Sequence, residues 1–160
     1  MSSQNKKLLI IAHCPSENTL TMANAILNGA QDNEIESVLA ELKSPFDCQA
    51  EDLLASNALI LFTTENFAYM SGALKDLFDR TYNSCLGDTK RNDAKPFALV
   101  IKAGSDGTGT QLAVHKIIKG LKWKETHPTL ICKGNFETSF VSQCETLGLT
   151  VAAQLYNDLI

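Results

Sequence analysis

The sequence lacks any concentration of positive charge. Its 14 lysines and arginines are scattered along the chain and, against 18 acidic residues, leave a formal net charge of −4. A domain that binds DNA or RNA through the phosphate backbone normally collects its basic residues on one face. We therefore expect no nucleic-acid partner.

Long apolar runs are also missing from the start of the chain. The apolar run there lies within residues 7–12, which is too short for the core of a signal peptide and far below the roughly 20 residues of a membrane span. We expect this run to form a first β-strand. We also expect a cytoplasmic protein with no membrane span.

Metal-ligand and disulfide patterns are absent as well. The five cysteines form no CxxC pair, and His13, His115 and His127 have no ligand spacing, so no metal site is predicted. Widely spaced cysteines in a cytoplasmic protein are most simply free thiols, several of them buried. Cys14 lies in a candidate functional loop and has two interpretations, a reactive thiol or, as we favour, a small residue that fits the turn.

Two nucleotide-binding signatures are not found. The loop at residues 12–19, AHCPSENT, is neither a GxGxxG dinucleotide fingerprint nor a phosphate loop with GK[ST]. These two modes of binding nucleotides are therefore disfavoured.

What the sequence does contain is an alternation of strand and helix patterns. Continuous apolar runs predict strands that are buried on both faces, and helical spacing of apolar residues predicts helices between them. The predicted strands cover residues 7–12, 35–40, 58–64, 96–103 and 128–134. The predicted helices cover residues 18–30, 50–56, 71–85, 111–121 and 138–160.

This alternation indicates a parallel sheet with helices on both faces, and 160 residues suit one domain. Five strands match the flavodoxin-like, three-layer αβα arrangement, whose ligand site lies at the carboxyl ends of the strands near the switch in strand order. We predict one such domain over residues 1–160.

Three loops should then meet at the carboxyl edge. The loop at 12–19 places hydroxyl and amide side chains at a helix start, which can hold a phosphate; alternatively, Ser16 or Asn18 only caps the helix. The loop at 64–70 carries Phe67, Tyr69 and Met70, which can form a wall for a flat ring.

The third loop, residues 104–110, is rich in glycine, and glycines let backbone approach a ligand closely, although such a stretch can also be only a turn. Together the three loops suit a flat aromatic cofactor with a phosphate tail, such as FMN.

The chain resembles the flavodoxin-like superfamily, in particular its NAD(P)H-dependent FMN and quinone reductases. The most specific match is FTTENFAYMSGALKDLFDR (62–80), which is similar to the family's strand, flavin-contacting loop and following helix. FDCQAEDLLASNALILF (46–62) and KPFALVIKAGSDGTGTQ (95–111) also resemble the family, and LLIIAHCPSENTLTMANAI (8–26) does so more loosely.

The resemblance assigns residues 13–19 to the phosphate, 64–69 to the isoalloxazine ring and 104–108 to the pyrimidine side of the ring. The residues implied to bind the cofactor are His13, Ser16, Asn18, Thr19, Thr64, Glu65, Asn66, Phe67, Ala68, Tyr69, Gly104, Ser105, Asp106, Gly107 and Thr108. The chain departs from the family at Thr64, where proline is common, and at Ala68, where glycine is frequent.

The resemblance implies electron transfer from NAD(P)H through FMN to a quinone, a flavin or a similar small acceptor. It assigns no catalytic side chain, although the hydroxyl of Tyr69 or the ring of His13 can donate a hydrogen bond to an acceptor. Reductases of this type often form homodimers. Two alternatives remain: a flavodoxin-type electron carrier, and a flavin-free interaction module with the same fold.

Overall fold

A central β-sheet organises the computed structural model, which describes residues 4–160; the first three residues of the predicted domain lie outside that part. The strands are β1 (Lys6–Ala12), β2 (Val38–Lys43), β3 (Ala58–Asn66), β4 (Tyr69–Met70), β5 (Pro96–Ala103), β6 (Lys124–Glu125) and β7 (Leu130–Lys133). The helices are α1 (Glu17–Ala30), α2 (Ala50–Ala55), α3 (Gly72–Gly87), α4 (Thr89–Asn92), α5 (Thr108–Leu121) and α6 (Thr138–Tyr156), with a 3₁₀ turn at Pro45–Asp47.

The sheet order is β2-β1-β3-β5, with β6 and β7 pairing with successive stretches of β5. These pairs are all parallel, and each connection between them crosses over through a helix or a longer loop. β4 runs antiparallel to β3, as a short return after it. The predicted class, a three-layer αβα fold on a parallel sheet, is confirmed.

Alternating side chains explain why the central strands are apolar throughout. In β1, Leu8 and Ile10 pack on the face covered by α1 and α6, whereas Leu9 and Ile11 pack on the face covered by α2, α3 and α5. A strand with a helix layer on each side buries every residue. The unbroken apolar runs of the sequence therefore reflect strands that lie between two layers of helices.

Two strands differ from their predicted positions. β2 begins at Val38 instead of residue 35, because Ile35 belongs to a turn in which its N–H donates to the carbonyl of Asp32. The last predicted strand, 128–134, is shortened to β7, and β6 is a separate two-residue strand that precedes the predicted range. Within residues 4–160 the sheet therefore has seven strands, of which five form the continuous path β2-β1-β3-β5-β6.

Helices α1 and α6 pack closely through two glycines. A Cβ atom on Gly148 would collide with the carbonyl group of Ile26, and one on Gly29 would collide with the carbonyl group of Glu145. Each glycine thus receives a backbone carbonyl of the other helix. This contact sets the distance between the helices that cover one face of the sheet.

We expect Gly148→Ala to lower the free energy of unfolding by about 1–3 kcal/mol, because the methyl group must push the helices apart. Urea denaturation gives the value. Gly87→Ala is the matched control, since no atom lies within 4 Å of the Cβ position there, and this variant should be as stable as the wild type or slightly more stable. Equal stability of the two variants would contradict the close contact.

Lys95 is a buried cation at the opposite edge of the sheet from the carboxyl ends. Its side chain is only 5% exposed and donates to the carbonyl oxygen of Ser56. Burial lowers the pKa of Lys95 from 10.5 to about 8, because the charged ammonium loses its hydration.

The lowered pKa predicts how stability depends on pH. Between pH 8 and 10.5 the unfolded chain binds a proton that the folded chain has released, so the stability contributed by Lys95 rises with pH in this window. Relative to Lys95→Met, the wild type should gain about 2 kcal/mol in free energy of unfolding from pH 7 to pH 10. Urea titrations of both proteins measure this; a constant difference would rule out a lowered pKa.

Four of the five cysteines, Cys48, Cys85, Cys132 and Cys144, are buried free thiols, as predicted. Within residues 4–160, every helix is too short or too polar to cross a membrane.

Candidate functional site

The three predicted loops follow three neighbouring strands. β1, β3 and β5 lie side by side and parallel, so their carboxyl ends share one edge of the sheet. The backbone N–H of His13 donates to the carbonyl of Phe62 at 3.1 Å, which ties the first loop to β3. Glu65 joins the second loop to the third. The predicted site residues are therefore gathered at one edge.

The first loop ends in a helix cap. The Oγ of Ser16 accepts from the N–H of Thr19 at 3.2 Å, and the Oγ1 of Thr19 accepts from the N–H of Ser16 at 3.0 Å. This reciprocal box shows that Ser16 caps α1. It uses two of the N–H groups at the start of α1, so a phosphate there would rely on the exposed first turn that contains Asn18.

His13 and Cys14 are partly buried beside this cap. Burial lowers the pKa of His13, so the ring is neutral at pH 7. Burial also raises the pKa of the Cys14 thiol to about 11, and the side chain packs against the core beneath α1. Cys14 therefore remains a protonated thiol, which favours the interpretation of a small residue that fits the turn.

The second loop is a β-hairpin with a left-handed turn. β3 and β4 pair through Glu65–Met70 and Asn66–Tyr69, which leaves Phe67 and Ala68 at the tip. Their φ angles are 53° and 59°. Two-residue hairpins favour such left-handed turns, but Asn-Gly is the usual sequence because other residues are strained there. Phe-Ala gives no such signal, so the sequence predicted only a loop.

The hairpin presents two of its three large apolar side chains. Phe67 is fully exposed at the tip, and Tyr69 is 41% exposed. Met70 is buried instead, in the core under α3 and α5. The predicted wall for a flat ring therefore consists of Phe67 and Tyr69, and the expectation that Met70 contributes to it is wrong. The pleat of β4 turns alternate side chains to opposite faces.

The third loop is held by the carboxylate of Glu65. Its Oε1 accepts from the N–H of Ser105 at 2.7 Å, and its Oε2 accepts from the N–H of Gly107 at 2.8 Å. Within the same loop, Asp106 Oδ1 accepts from the N–H of Thr108. Hydrogen bonds from the side chain and the backbone of Thr108 lower the pKa of Asp106. Glu65 and Asp106 thus place two carboxylates at this edge of the site. This edge therefore carries negative charge.

Two of the loop's glycines are explained by the fold. Gly107 has φ +73°, and a Cβ there would lie 2.7 Å from the side chain of Ile131. A Cβ on Gly109 would collide with the carbonyl oxygen of Ala68 at the hairpin tip. Only Gly104, of the three, has open space around it and can admit a ligand to the backbone.

Sequence reasoning missed two buried threonines that support the hairpin. Thr63 Oγ1 accepts from the N–H of Ser71 and donates to the carbonyl of Thr64, both at 3.0 Å. Thr110 Oγ1 donates to the carbonyl of Tyr69 at 3.0 Å. Thr64 itself is buried, and its hydroxyl donates to Asn66 Oδ1 at 3.0 Å. Only the polarity of Thr63 at the end of an apolar strand hinted at such a role.

Comparison with solved structures identifies the fold class. A flavodoxin from the domain Archaea superposes with a TM-score of 0.76 at 19% identity, over 93% of this chain and 98% of its own. A flavodoxin, WrbA-like protein from Agrobacterium tumefaciens gives 0.72 at 15% identity, over 97% and 99%. Two-electron reduced Megasphaera elsdenii flavodoxin gives 0.71 at 14%, over 91% and 98%. The chain has the flavodoxin-like fold along nearly its whole length.

No protein-family model matches the sequence, and no curated protein matches it either. At 14–19% identity the structural likeness establishes the fold alone. The function must therefore be argued from the residues at the carboxyl edge.

The left-handed turn predicts that a glycine substitution at the hairpin tip stabilises the protein. Ala68→Gly should raise the free energy of unfolding by about 0.5–1 kcal/mol, because glycine adopts a positive φ without the steric cost of a Cβ. The matched control, Ala55→Gly at the end of α2, should lower it by up to about 1 kcal/mol, the cost of glycine in a helix interior. Thermal denaturation compares the two. A loss of stability in Ala68→Gly would contradict the turn geometry.

Proposed function

We propose that this protein is a cytoplasmic, FMN-binding oxidoreductase that passes electrons from NAD(P)H through the flavin to a quinone, a flavin or a similar small acceptor. One observation carries the proposal. The exposed aromatic side chains of Phe67 and Tyr69 stand on a preformed hairpin beside the open backbone of Gly104, at the carboxyl edge where flavodoxin-like folds bind ligands.

The ring-binding part of the site fits a flat heterocycle. Phe67 is fully exposed and Tyr69 is 41% exposed, and covering this aromatic surface with a ring removes it from water. Gly104, Ser105 and Asp106 are exposed on the neighbouring loop and can contact the polar rim. These residues need no large rearrangement to receive a ring, because hydrogen bonds to Glu65 already join the hairpin to the loop.

The phosphate-binding part of the site fits a monophosphate. The first turn of α1 begins at Glu17, and Asn18 is exposed beside the Ser16 cap. Backbone N–H groups and the positive end of the helix dipole can hold an anion without lysine or arginine. The carboxylate of Glu17 must face solvent for such an anion to bind.

When bound, the flavin supplies the hydride and electron chemistry, and the protein supplies position and electrostatics. Phe67 and Tyr69 hold the ring and shield one face from water. The hydroxyl of Tyr69 can donate a hydrogen bond to an acceptor, whereas the neutral ring of His13 lies near the phosphate end. No side chain is required as a nucleophile, and no catalytic residue is assigned.

Three structural neighbours bear on the alternatives. The Archaea and Megasphaera elsdenii neighbours are named as flavodoxins, and the Agrobacterium tumefaciens neighbour as a flavodoxin, WrbA-like protein. An electron carrier without a substrate of its own is therefore a second candidate. The modest net charge of −4 argues against it, because docking carriers are usually more acidic. A homodimer remains a prediction.

Colour tests the proposal first. Purified protein incubated with FMN and desalted should be yellow, with one flavin per chain by absorbance. A protein that remains colourless would overturn both flavin candidates and leave the flavin-free interaction module. Oxidation of NADPH or NADH with a quinone by the yellow protein favours the oxidoreductase, and its absence favours the carrier.

Replacement of the aromatic wall should weaken FMN binding. Phe67→Ala and Tyr69→Ala should each raise the dissociation constant for FMN about tenfold, because stacking contributes roughly 1.4 kcal/mol beyond the area that the ring buries. Fluorescence quenching of FMN measures the constant.

Tyr156→Ala is the matched control, since Tyr156 is 42% exposed, nearly as Tyr69 is, but lies at the opposite edge of the sheet near the start of β1. The dissociation constant of Tyr156→Ala for FMN should equal that of the wild type. If the wall variants bind FMN as tightly as Tyr156→Ala does, the ring does not stack on the hairpin.

A further inference from the structure

We infer that Glu65 is a positioning residue with two effects: it locks the hairpin to the loop after β5 before any ligand arrives, and it places a fixed negative charge where these two loops meet. The first effect stands on the contacts of the chain alone. The second, a bias against negative charge on a bound ring, rests on the proposed flavin.

The lock joins segments that are far apart in sequence. The two carboxylate oxygens of Glu65 accept from the N–H groups of Ser105 and Gly107, which lie 40 and 42 residues further along the chain. Hydrogen bonds to a charged acceptor are about twice as strong as neutral ones. Gly107 is the N-cap of α5 and has no side chain to cap the helix. Glu65 instead accepts from the backbone N–H of this N-cap residue and so fixes the start of α5 from the neighbouring strand.

Two further contacts hold the same segments together. The carbonyl oxygen of Ala68 lies against Gly109, where a Cβ would collide with it. The hydroxyl of Thr110 donates to the carbonyl of Tyr69. The hairpin tip and the start of α5 are thus one unit, and Glu65 is its charged member. A strained turn at Phe67 and Ala68 needs such support to keep one conformation.

This arrangement restricts what can bind at the meeting point of the loops. The amides of Ser105 and Gly107, which an anionic group would need as donors, already serve Glu65. Lys102, which pairs with Thr64 across the sheet, donates its ammonium protons to the carbonyls of Ala103 and Gly134. Asp106 adds a second negative charge to the loop, which the positive charge of Lys133 partly offsets.

A ring edge at this point must therefore be neutral or donate hydrogen bonds. Any form of the ring that carries negative charge is raised in energy by the fixed carboxylate. For a flavin, reduction adds electrons to the ring, so Glu65 should favour the oxidised form and make the reduction potential more negative than a neutral residue would.

The ligand-free protein tests the lock. Amide hydrogen exchange, followed by NMR, should show protected N–H groups at Ser105 and Gly107 in the wild type. In Glu65→Gln one oxygen is replaced by an N–H₂ donor, and exchange at these two amides should quicken about tenfold or more, while core amides keep their rates. Glu36→Gln removes the same charge from an exposed position remote from the site. This variant should leave the exchange rates of both amides unchanged.

The FMN-loaded protein tests the charge. The reduction potential should become less negative in Glu65→Gln and stay near the wild-type value in Glu36→Gln. Glu65→Asp separates the two effects, because it keeps the charge but is too short to reach both amides. Its amides should exchange quickly, whereas its potential should remain closer to that of the wild type.

Three results would overturn the inference. Unprotected amides at Ser105 and Gly107 in the wild type, or unchanged exchange in Glu65→Gln, would refute the lock. An unchanged potential in Glu65→Gln with FMN bound would refute the role of the charge. If the wild type does not bind FMN, the proposed function fails together with the role of the charge, and the exchange rates still decide the lock.

Discussion

Parallel pairing of the three central strands is the constraint on which the rest of the structure depends. Because β1, β3 and β5 run in the same direction, every connection must return along a helix layer, and all three carboxyl ends meet at one edge. The helices are then fixed by what the strands present on each face. The close glycine contact between α1 and α6 completes one layer, and the loops converge at the edge as a consequence.

The carboxyl edge combines a rigid part with an open one. Glu65, Gly109 and Thr110 bind the hairpin to the start of α5, so the aromatic side chain of Phe67 is held outward by backbone contacts behind it. The first loop is held by its own capping box at Ser16. Such preorganisation lowers the entropic cost of receiving a ligand. It also means that several N–H groups are already used, which limits where a negative group can bind.

The fold could be predicted from the sequence because its signal is local. Apolar runs and helical spacing indicate each element separately, and parallel topology follows from their alternation. The site could be predicted only in outline, by the rule that loops at carboxyl ends meet. The hydrogen bonds of Glu65, the support from Thr110 and the left-handed φ of Ala68 depend on partners about 40 residues away, or on a turn whose residues do not signal it. Likewise, Met70 looked like part of an exposed wall until the pleat of β4 placed it in the core.

We propose that a flavin binds where the three loops meet. Titration of FMN into isotopically labelled protein, followed by backbone amide chemical shifts, tests this most directly. We expect shifts concentrated in residues 13–19, 64–69 and 104–108, with little change at the opposite edge around Ser56 and Lys95. Shifts centred on that opposite edge, or no shifts at saturating FMN, would contradict it.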